Sequence, residues 1–387
     1  MRRILAIVLI LVLLGGGYSF WALNKPLPLL QPVNILPTLP AQEPNPLTWP
    51  GSTQAAVGAT GYGVLATNGE QKPLPTASVA KVMAALSVLQ KRPLKLGEQG
   101  PTFTVGDQDI NFYYQYVAAE GSVVPVNSGE EISEYQALQA MLLPSANNIA
   151  KSLVTWVFGS EQNYTAYANA YAKQLGCKQT TITDASGFSP STTSTASDLV
   201  LLGEAALQNP VLAQIVSQTD ADIPVAGAVH NVNELLGRDG INGIKTGNTD
   251  QAGGVFLASG TYTAAGNHKV TIVSAVVGAP TLRAAMDNSL PLLVSSQTNF
   301  VETKVINQQQ IVGYYNTPWH TSTNAEAAFD LTAFGWKGAL SKPQLSMQKV
   351  HVPAKEGQTI GTLTLKDAAG NSTTTQVTLQ QPVPAPS

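Results

Sequence analysis

The chain has 387 residues, of which 44% are hydrophobic and only 12% charged, and a formal net charge of −3 at pH 7. That length and apolar content fit a globular protein with room for two domains, and the absence of a basic stripe argues against nucleic acid as a partner. The single cysteine, Cys177, excludes an intramolecular disulfide, and Leu175-Gly176-Cys177-Lys178 reads as a helix end carrying a small buried residue rather than as a thiol catalyst.

In chain order, Met1-Arg2-Arg3 precedes an apolar run over residues 4–23 that is long enough to span a bilayer core. No good small-x-small cleavage site stands in residues 15–23, and Phe20, Trp21, Asn24 and Lys25 look like an interfacial edge. Residues 1–23 are therefore read as a retained membrane anchor, with a cleaved signal peptide as the alternative. In both cases the positive end stays inside and the rest of the chain lies outside the cytoplasm. Residues 24–50 carry Pro26, Pro28, Pro32, Pro37, Pro40, Pro44, Pro46 and Pro50, a semi-extended spacer.

From residue 51 the pattern is globular. Residues 55–68 read as a strand pair, and Thr76 as the N-cap of a helix whose apolar residues Val79, Val82, Met83, Leu86 and Leu89 share one face. Residues 130–156 form two helices joined at Leu143-Pro144-Ser145, and 160–175 another helix. Residues 180–183 read as a short strand, and Asp184-Ala185-Ser186-Gly187 as a turn. Ser194, Thr195 and Asp198 open a further helix. Residues 270–277 alternate and are β-branched, hence a strand, and 284–294 are helical. After about residue 300 the character becomes all-β: 350–352, 361–365 and 375–379 are short strands, with Asp367-Ala368-Ala369-Gly370-Asn371 turning between the last two. The expected organisation is an anchor (1–23), a linker (24–50), a mixed body (51–299), a β-rich domain (300–381) and a tail (382–387).

The chemistry starts at Ser78 and Lys81. Three apart on a helix, they are neighbours, and an uncharged amine can take the proton of a weakly nucleophilic hydroxyl. A lysine in a helix that otherwise reads as core is a candidate for a lowered pKa. Alone, the pair reads as a helix start and a snorkelling lysine. Two later clusters change that reading: Ser145-Ala146-Asn147 directly after Pro144, and Lys245-Thr246-Gly247 before Asn248. S-x-x-K, S-x-N and K-T-G in this order are the set of penicillin-binding proteins and serine β-lactamases, with Ala146 here in place of an Asp.

On these motifs the chain resembles the D-alanyl-D-alanine carboxypeptidases of the low-molecular-mass penicillin-binding proteins. The likeness runs through residues 76–81, 143–150, 184–190, 194–199, 233–237 and 245–253, within 51–299, and the β-rich segment is similar to the family's C-terminal domain. The resemblance implies an α/β (α+β) fold of β-lactamase/transpeptidase type: an antiparallel sheet flanked by helices, an all-helical subregion, and a small C-terminal all-β domain. It implies that Ser78 attacks the carbonyl between the two terminal D-alanines of a peptidoglycan stem peptide, with Lys81 as base and Ser145 relaying the proton. Asn147, Lys245, Thr246 and Gly247 would bind substrate, and the backbone N–H groups of Ser78 and Asn248 would form the oxyanion hole. β-Lactams would be covalent inhibitors, and no metal or cofactor is implied. The family's carboxylate-binding arginine is displaced: Arg283 stands two residues early, and is either that ligand or a plain helix-surface residue.

Within the same superfamily, an endopeptidase or transpeptidase shares these motifs. A serine β-lactamase would need a deacylating glutamate, and the nearest string, Glu204 to Asn209, is out of register and reads as a helix end. A non-catalytic β-lactam sensor is a different class, against which the intact Ser78, Lys81, Ser145 and Lys245 argue. His230, His268, His320 and His351 are scattered, so a histidine-dependent hydrolase is not supported.

Overall fold

A computed structural model of the protein describes residues 2–24, 26–36, 38, 42–51, 53–339, 342–367 and 370–385. At its centre β1 (Gln54–Ala59), β2 (Gly63–Asn68), β3 (Ile241–Thr249), β4 (Gly253–Thr263) and β5 (Lys269–Ala279) form an antiparallel sheet in the order β3-β4-β5-β1-β2. Its middle strands are buried on both faces, so alternate side chains feed two different cores. Ala56, Leu257, Val273 and Ala275 join one apolar cluster, and their neighbours Ala55, Phe256, Ile272 and Val276 join the other.

The first cluster is covered by α1 (Ala80–Lys91), α2 (Asp107–Ala118), α3 (Glu134–Leu142), α4 (Asn147–Phe158), α5 (Glu161–Gln174) and α6 (Ala196–Gln208). The second is covered by α7 (Leu282–Gln297) through Ala285, Met286, Leu292 and Leu293. α1 is buried from Ala80 to Leu89, so it has no solvent face at all over that length and Lys81 cannot snorkel. Thr195 caps α6, its Oγ1 accepting from the Asp198 N–H at 3.1 Å, as the hydroxyl-rich start predicts.

Several local expectations are corrected. Thr76 makes no side-chain cap; Ala77–Val79 is a 3₁₀ turn, and the α-helix starts only at Ala80. Of residues 180–183 only Thr181 pairs, as a bridge to Thr193, because the Ile182 and Thr183 N–H groups are taken by the side chains of Asn169 and Thr192. Helix α2 was not foreseen; its polar, aromatic sequence buries only Phe112.

The C-terminal region is all-β. A six-stranded antiparallel sheet runs from the short strand Pro32–Asn34 through β7 (Ile311–Asn316), β8 (Ser322–Ala327), β12 (Ser372–Leu379) and β11 (Thr359–Lys366) to β10 (Gln344–Met347). β6 (Phe300–Ile306) pairs with β9 (Leu331–Trp336). Val350 only bridges to Leu30, so the expected strand at 350–352 is absent among the described residues. The tail is held in part, since Val383 bridges to Ala354. Ala368 and Ala369 of the expected hairpin turn lie outside the described residues.

The proline-rich segment is tied to the body instead of standing free. Leu30 is buried in the β-rich core, Pro32–Asn34 pairs with β7, and the Asn45 N–H donates to Asn299 Oδ1 at 2.6 Å. At the N-terminus, Arg2–Leu23 is a helix whose apolar side chains from Ile7 to Trp21 are exposed. Among the described residues no single helix is long and apolar enough to cross a membrane.

Candidate active site

Ser78 sits in the 3₁₀ turn between the strand segment Leu74–Pro75 and α1. Three neighbours pin that turn. The Thr76 N–H donates to the Thr192 carbonyl at 3.1 Å. Gly187, at φ +74°, lies flat against the Ala77 carbonyl, where a Cβ would collide with it. Gly247 on β3 closes the other side; a Cβ there would stand 2.8 Å from the Thr76 carbonyl oxygen and 3.1 Å from the Ser78 nitrogen. Only glycine lets strand and turn come this close. Ala77 itself takes φ +45°, a left-handed conformation that costs a non-glycine residue free energy and is held by these contacts.

Lys81 is fully buried, one turn along from Ser78. Its Nζ lies 2.7 Å from Ser78 Oγ, 2.6 Å from Asn147 Oδ1 and 3.1 Å from the Ser186 carbonyl oxygen. The last two are acceptors only. A neutral amine has two N–H bonds, and these two acceptors take both, which leaves the lone pair facing the Ser78 hydroxyl. Burial drives the Lys81 pKa well below the usual lysine range, and the Lys245 charge lowers it further, while Asp184 opposes both.

The Ser186 carbonyl is set by Asp184. One carboxylate oxygen accepts from Ser186 Oγ at 2.8 Å and from the Phe188 N–H at 2.9 Å, and the other from Thr192 Oγ1 at 2.5 Å. Tyr116 Oη lies 3.4 Å from Ser186 Oγ, and its ring packs edge-on against Phe188 at 5.6 Å. The sequence marks residues 184–187 as a turn; that a turn carbonyl is a ligand for Lys81 leaves no side-chain signature.

Ser145 and Asn147 lie at the junction of α3 and α4. Ser145 is buried at φ +68°, and its Oγ has no hydrogen-bond partner among the described residues. Asn147 opens α4, its N–H donating to the Ser122 carbonyl at 2.8 Å. Between them Ala146 is fully buried in the apolar cluster, where a charged side chain would be costly.

Lys245 and Thr246 on β3 are 2% and 4% exposed, so both face into the protein. Burial pushes the Lys245 pKa down to about 7. Its Nζ donates to the Thr246 carbonyl at 3.1 Å, and no hydrogen bond joins it to Ser145. Two buried amines that repel each other disfavour being charged together. The charge of Lys245 thus favours the neutral form of the Lys81 amine. Asn248, just beyond Gly247, is exposed.

The sequence-derived residues thus fall into two groups. Ser78, Lys81 and Asn147 are hydrogen-bonded together, with Gly247 packed against Ser78 and Lys245 acting on Lys81 through its charge. Arg283 stands apart near the start of α7: its guanidinium is directed to Asp287 at 3.0 Å and Glu234 at 3.8 Å, with 64% of the side chain exposed. Glu204 is taken up structurally, accepting the N–H groups of Gly61 and Gly63 at 3.2 and 3.3 Å. Cys177 is buried with its thiol pushed up to about 12 by desolvation, which makes it inert. No cluster of metal-ligating side chains is found among the described residues.

Comparison with known proteins gives the family and the fold. A family profile described as D-alanyl-D-alanine carboxypeptidase matches residues 50–281. The D-alanyl-D-alanine carboxypeptidase DacC of Escherichia coli is 26% identical over 339 residues, 78% of this chain and 76% of that protein. The D-alanyl-D-alanine carboxypeptidase DacB2 of Mycobacterium tuberculosis is 34% identical over 203 residues, 51% of this chain and 65% of that protein. Among solved structures, penicillin binding protein 5 from Haemophilus influenzae superimposes with a TM-score of 0.60 at 21% identity, over 89% of this chain and 99% of that one.

Proposed function

This chain belongs to the D-alanyl-D-alanine carboxypeptidase family, and on that premise we propose that Ser78 is its nucleophile and Lys81 the base that activates it. The protein is a serine peptidase of the penicillin-recognising superfamily, acting outside the cytoplasm on peptidoglycan stem peptides. The observation that carries the assignment of roles is the fully buried Lys81 Nζ, 2.7 Å from Ser78 Oγ with both its N–H bonds engaged elsewhere.

Lys81 takes the hydroxyl proton as Ser78 Oγ bonds to the carbonyl carbon of the penultimate D-alanine. The oxyanion is held by the N–H groups of Ser78 and Asn248, a contribution worth about 10²–10³ in rate per donor. Gly247 lets β3 lie close beside the Ser78 turn, and the charge on Lys245 with the Thr246 hydroxyl receives the terminal carboxylate. Ser145 Oγ passes its proton to the leaving nitrogen and takes in return the one held by Lys81, so the C–N bond breaks, D-alanine departs and Lys81 is neutral again. Water then attacks the ester, Lys81 takes its proton and returns it to Ser78 Oγ as the ester C–O bond breaks, and Ser78 is regenerated. Asn147 orients Lys81 and the substrate amide throughout. With Arg283 already paired to Asp287 and Glu234, it is assigned to the surface of α7 and not to the carboxylate.

A β-lactam follows the same path to a stable acyl-enzyme, because Glu204 is occupied by the β1–β2 turn and cannot activate water at Ser78. An acceptor amine in place of water would make the same site a transpeptidase, and a cross-linked substrate would make it an endopeptidase. We further assign residues 1–23 as the anchor holding residues 51–299 at the outer face of the membrane, with the β-rich region of 300–381 attached. Mass spectrometry of a pentapeptide ending in two D-alanines tests the reading. Loss of one alanine, abolished in Ser78→Ala, is expected; cross-linked product, or no reaction by an enzyme that binds penicillin, contradicts it.

A further inference from the structure

A cavity of ≈ 570 Å³ opens where the body meets the β-rich region, within the range of roughly 300–1,000 Å³ that small-molecule sites occupy. Thr60 and Tyr62 in the β1–β2 turn line one side; Phe334 on β9, with Asp367 and Asn371 flanking the β11–β12 turn, lines the other. It is separate from the Ser78 cleft. Lys245 aligns through Leu257 with Ala275, whereas the cavity reaches β5 at Val270, two strands over and about five residues along, roughly 16 Å by 10 Å.

Of the charged groups at its wall, His268, Glu302 and Asp367 are engaged, while Lys269 is exposed with no ion pair among the described residues. His268 lies 3.3 Å from Glu302 and stacks on Phe334 at 4.1 Å, and Asp367 accepts from the Asn371 backbone and side-chain N–H groups at 2.7 and 2.8 Å. Apart from Lys269, what is left open is neutral. Thr60 Oγ1 is buried without a partner, and Tyr62 Oη and Asn371 Oδ1 make no hydrogen bond among the described residues. Burial and the Asp367 charge hold the Tyr62 phenol up to about 12, so it remains a donor.

Uncommitted hydroxyls and an amide oxygen beside the rings of His268 and Phe334 suit a neutral ligand with many hydroxyl and amide groups and flat C–H faces. A lipid would need a continuous apolar lining, an anion would meet the Glu302 and Asp367 carboxylates beside the single Lys269, and a metal ion would need a cluster of ligating side chains that is not found among the described residues. We propose that this seam cavity binds N-acetylated sugar units of a glycan strand. The choice of sugar rests on the carboxypeptidase reading, since the stem peptides hang from such a strand; the existence of the site does not. A strand seated here brings peptides to Ser78 on the same chain.

Titration calorimetry of the full chain with the tetramer of N-acetylglucosamine tests this. Saturable binding is expected, weakened severalfold in Tyr62→Phe and in Asn371→Ala, both checked for unchanged melting. Release of D-alanine from a free pentapeptide is expected to be unchanged in these variants, and release from intact peptidoglycan to fall severalfold. Ser78→Ala should bind the tetramer like the unaltered chain, so loss of the carboxypeptidase reading and loss of this one give different results. No binding of the tetramer, or binding indifferent to both cavity substitutions, overturns the proposal.

Discussion

The body and the β-rich region treat buried polarity in opposite ways. The body buries Lys81, Glu134, Asp198, Glu204 and Lys245, whereas the buried polar residues of the β-rich region are Thr303, Thr317, Thr323 and Thr375. Its Lys304–Asp330 ion pair, at 2.6 Å, stays at the surface. Taking an ion out of water costs several kcal/mol unless partners compensate, so the β-rich core of Leu363, Val377 and Ile360 is the cheaper solution. The body retains buried charges where they change what a neighbour can do. Perturbed ionisable groups gathered around one nucleophile are what a catalytic site requires, and under the proposed roles Lys81 beside Ser78, with Lys245 lowering its pKa, is the example here.

The comparison can be broken most forcefully at Lys245. Lys245→Met is expected to lower turnover on the order of 10²–10³-fold, the scale of losing one preorganised electrostatic contact. The same substitution should raise the melting temperature, because an apolar side chain replaces a buried amine. The pH dependence has a definite sign. The folded pKa of Lys245, about 7, lies below its ordinary value of 10.5, so the unfolded chain binds the extra proton between those limits. Stability therefore rises with pH across that window, and Lys245→Met should flatten the rise in denaturant titrations at several pH values.

In the β-rich region the opposite outcome is expected. Leu363→Ala removes a fully buried side chain and should cost about 2–5 kcal/mol of that region's stability while release of D-alanine from a free pentapeptide persists. Collapse of turnover without unfolding would show that the two regions are not distinct in this sense. Gly187→Ala combines a left-handed backbone with a clash against the Ala77 carbonyl, and should destabilise by about 1–3 kcal/mol and slow acylation of Ser78 by penicillin.

The smallest effect is expected at Glu204. Burial lifts its pKa to about 7 from 4.5, so the folded state holds the proton more tightly and stability falls as pH rises through that window. Glu204→Gln should remove this slope and leave the lifetime of the penicilloyl adduct unaltered. A longer lifetime in the variant would make Glu204 a deacylating base after all.

The sequence made most of the site legible, because three short motifs report side chains whose chemistry is written in their identity: Ser78 and Lys81, Ser145 and Asn147, Lys245 to Gly247. Backbone contributions were hidden. The Ser186 carbonyl that takes a Lys81 N–H, the 3₁₀ turn that displaces the expected Thr76 cap, and the fit of Gly187 against Ala77 all depend on chain segments remote in sequence. Tertiary context likewise overrode local pattern in the proline-rich segment, where Pro32–Asn34 becomes an edge strand because β7 offers it a partner. Arg283 looked equally suited to two roles until Asp287 and Glu234 were seen beside it.

The most direct measurement is the rate of Ser78 acylation by penicillin as a function of pH, followed by mass spectrometry of the adduct. A neutral Lys81 predicts a rate that has levelled off well below the ordinary lysine pKa of 10.5 and an acidic limb that moves to higher pH in Lys245→Met, since removing the neighbouring charge raises the Lys81 pKa. A rate that goes on climbing tenfold per pH unit up to about 10, or a limb that stays in place when Lys245 is replaced, would contradict the account.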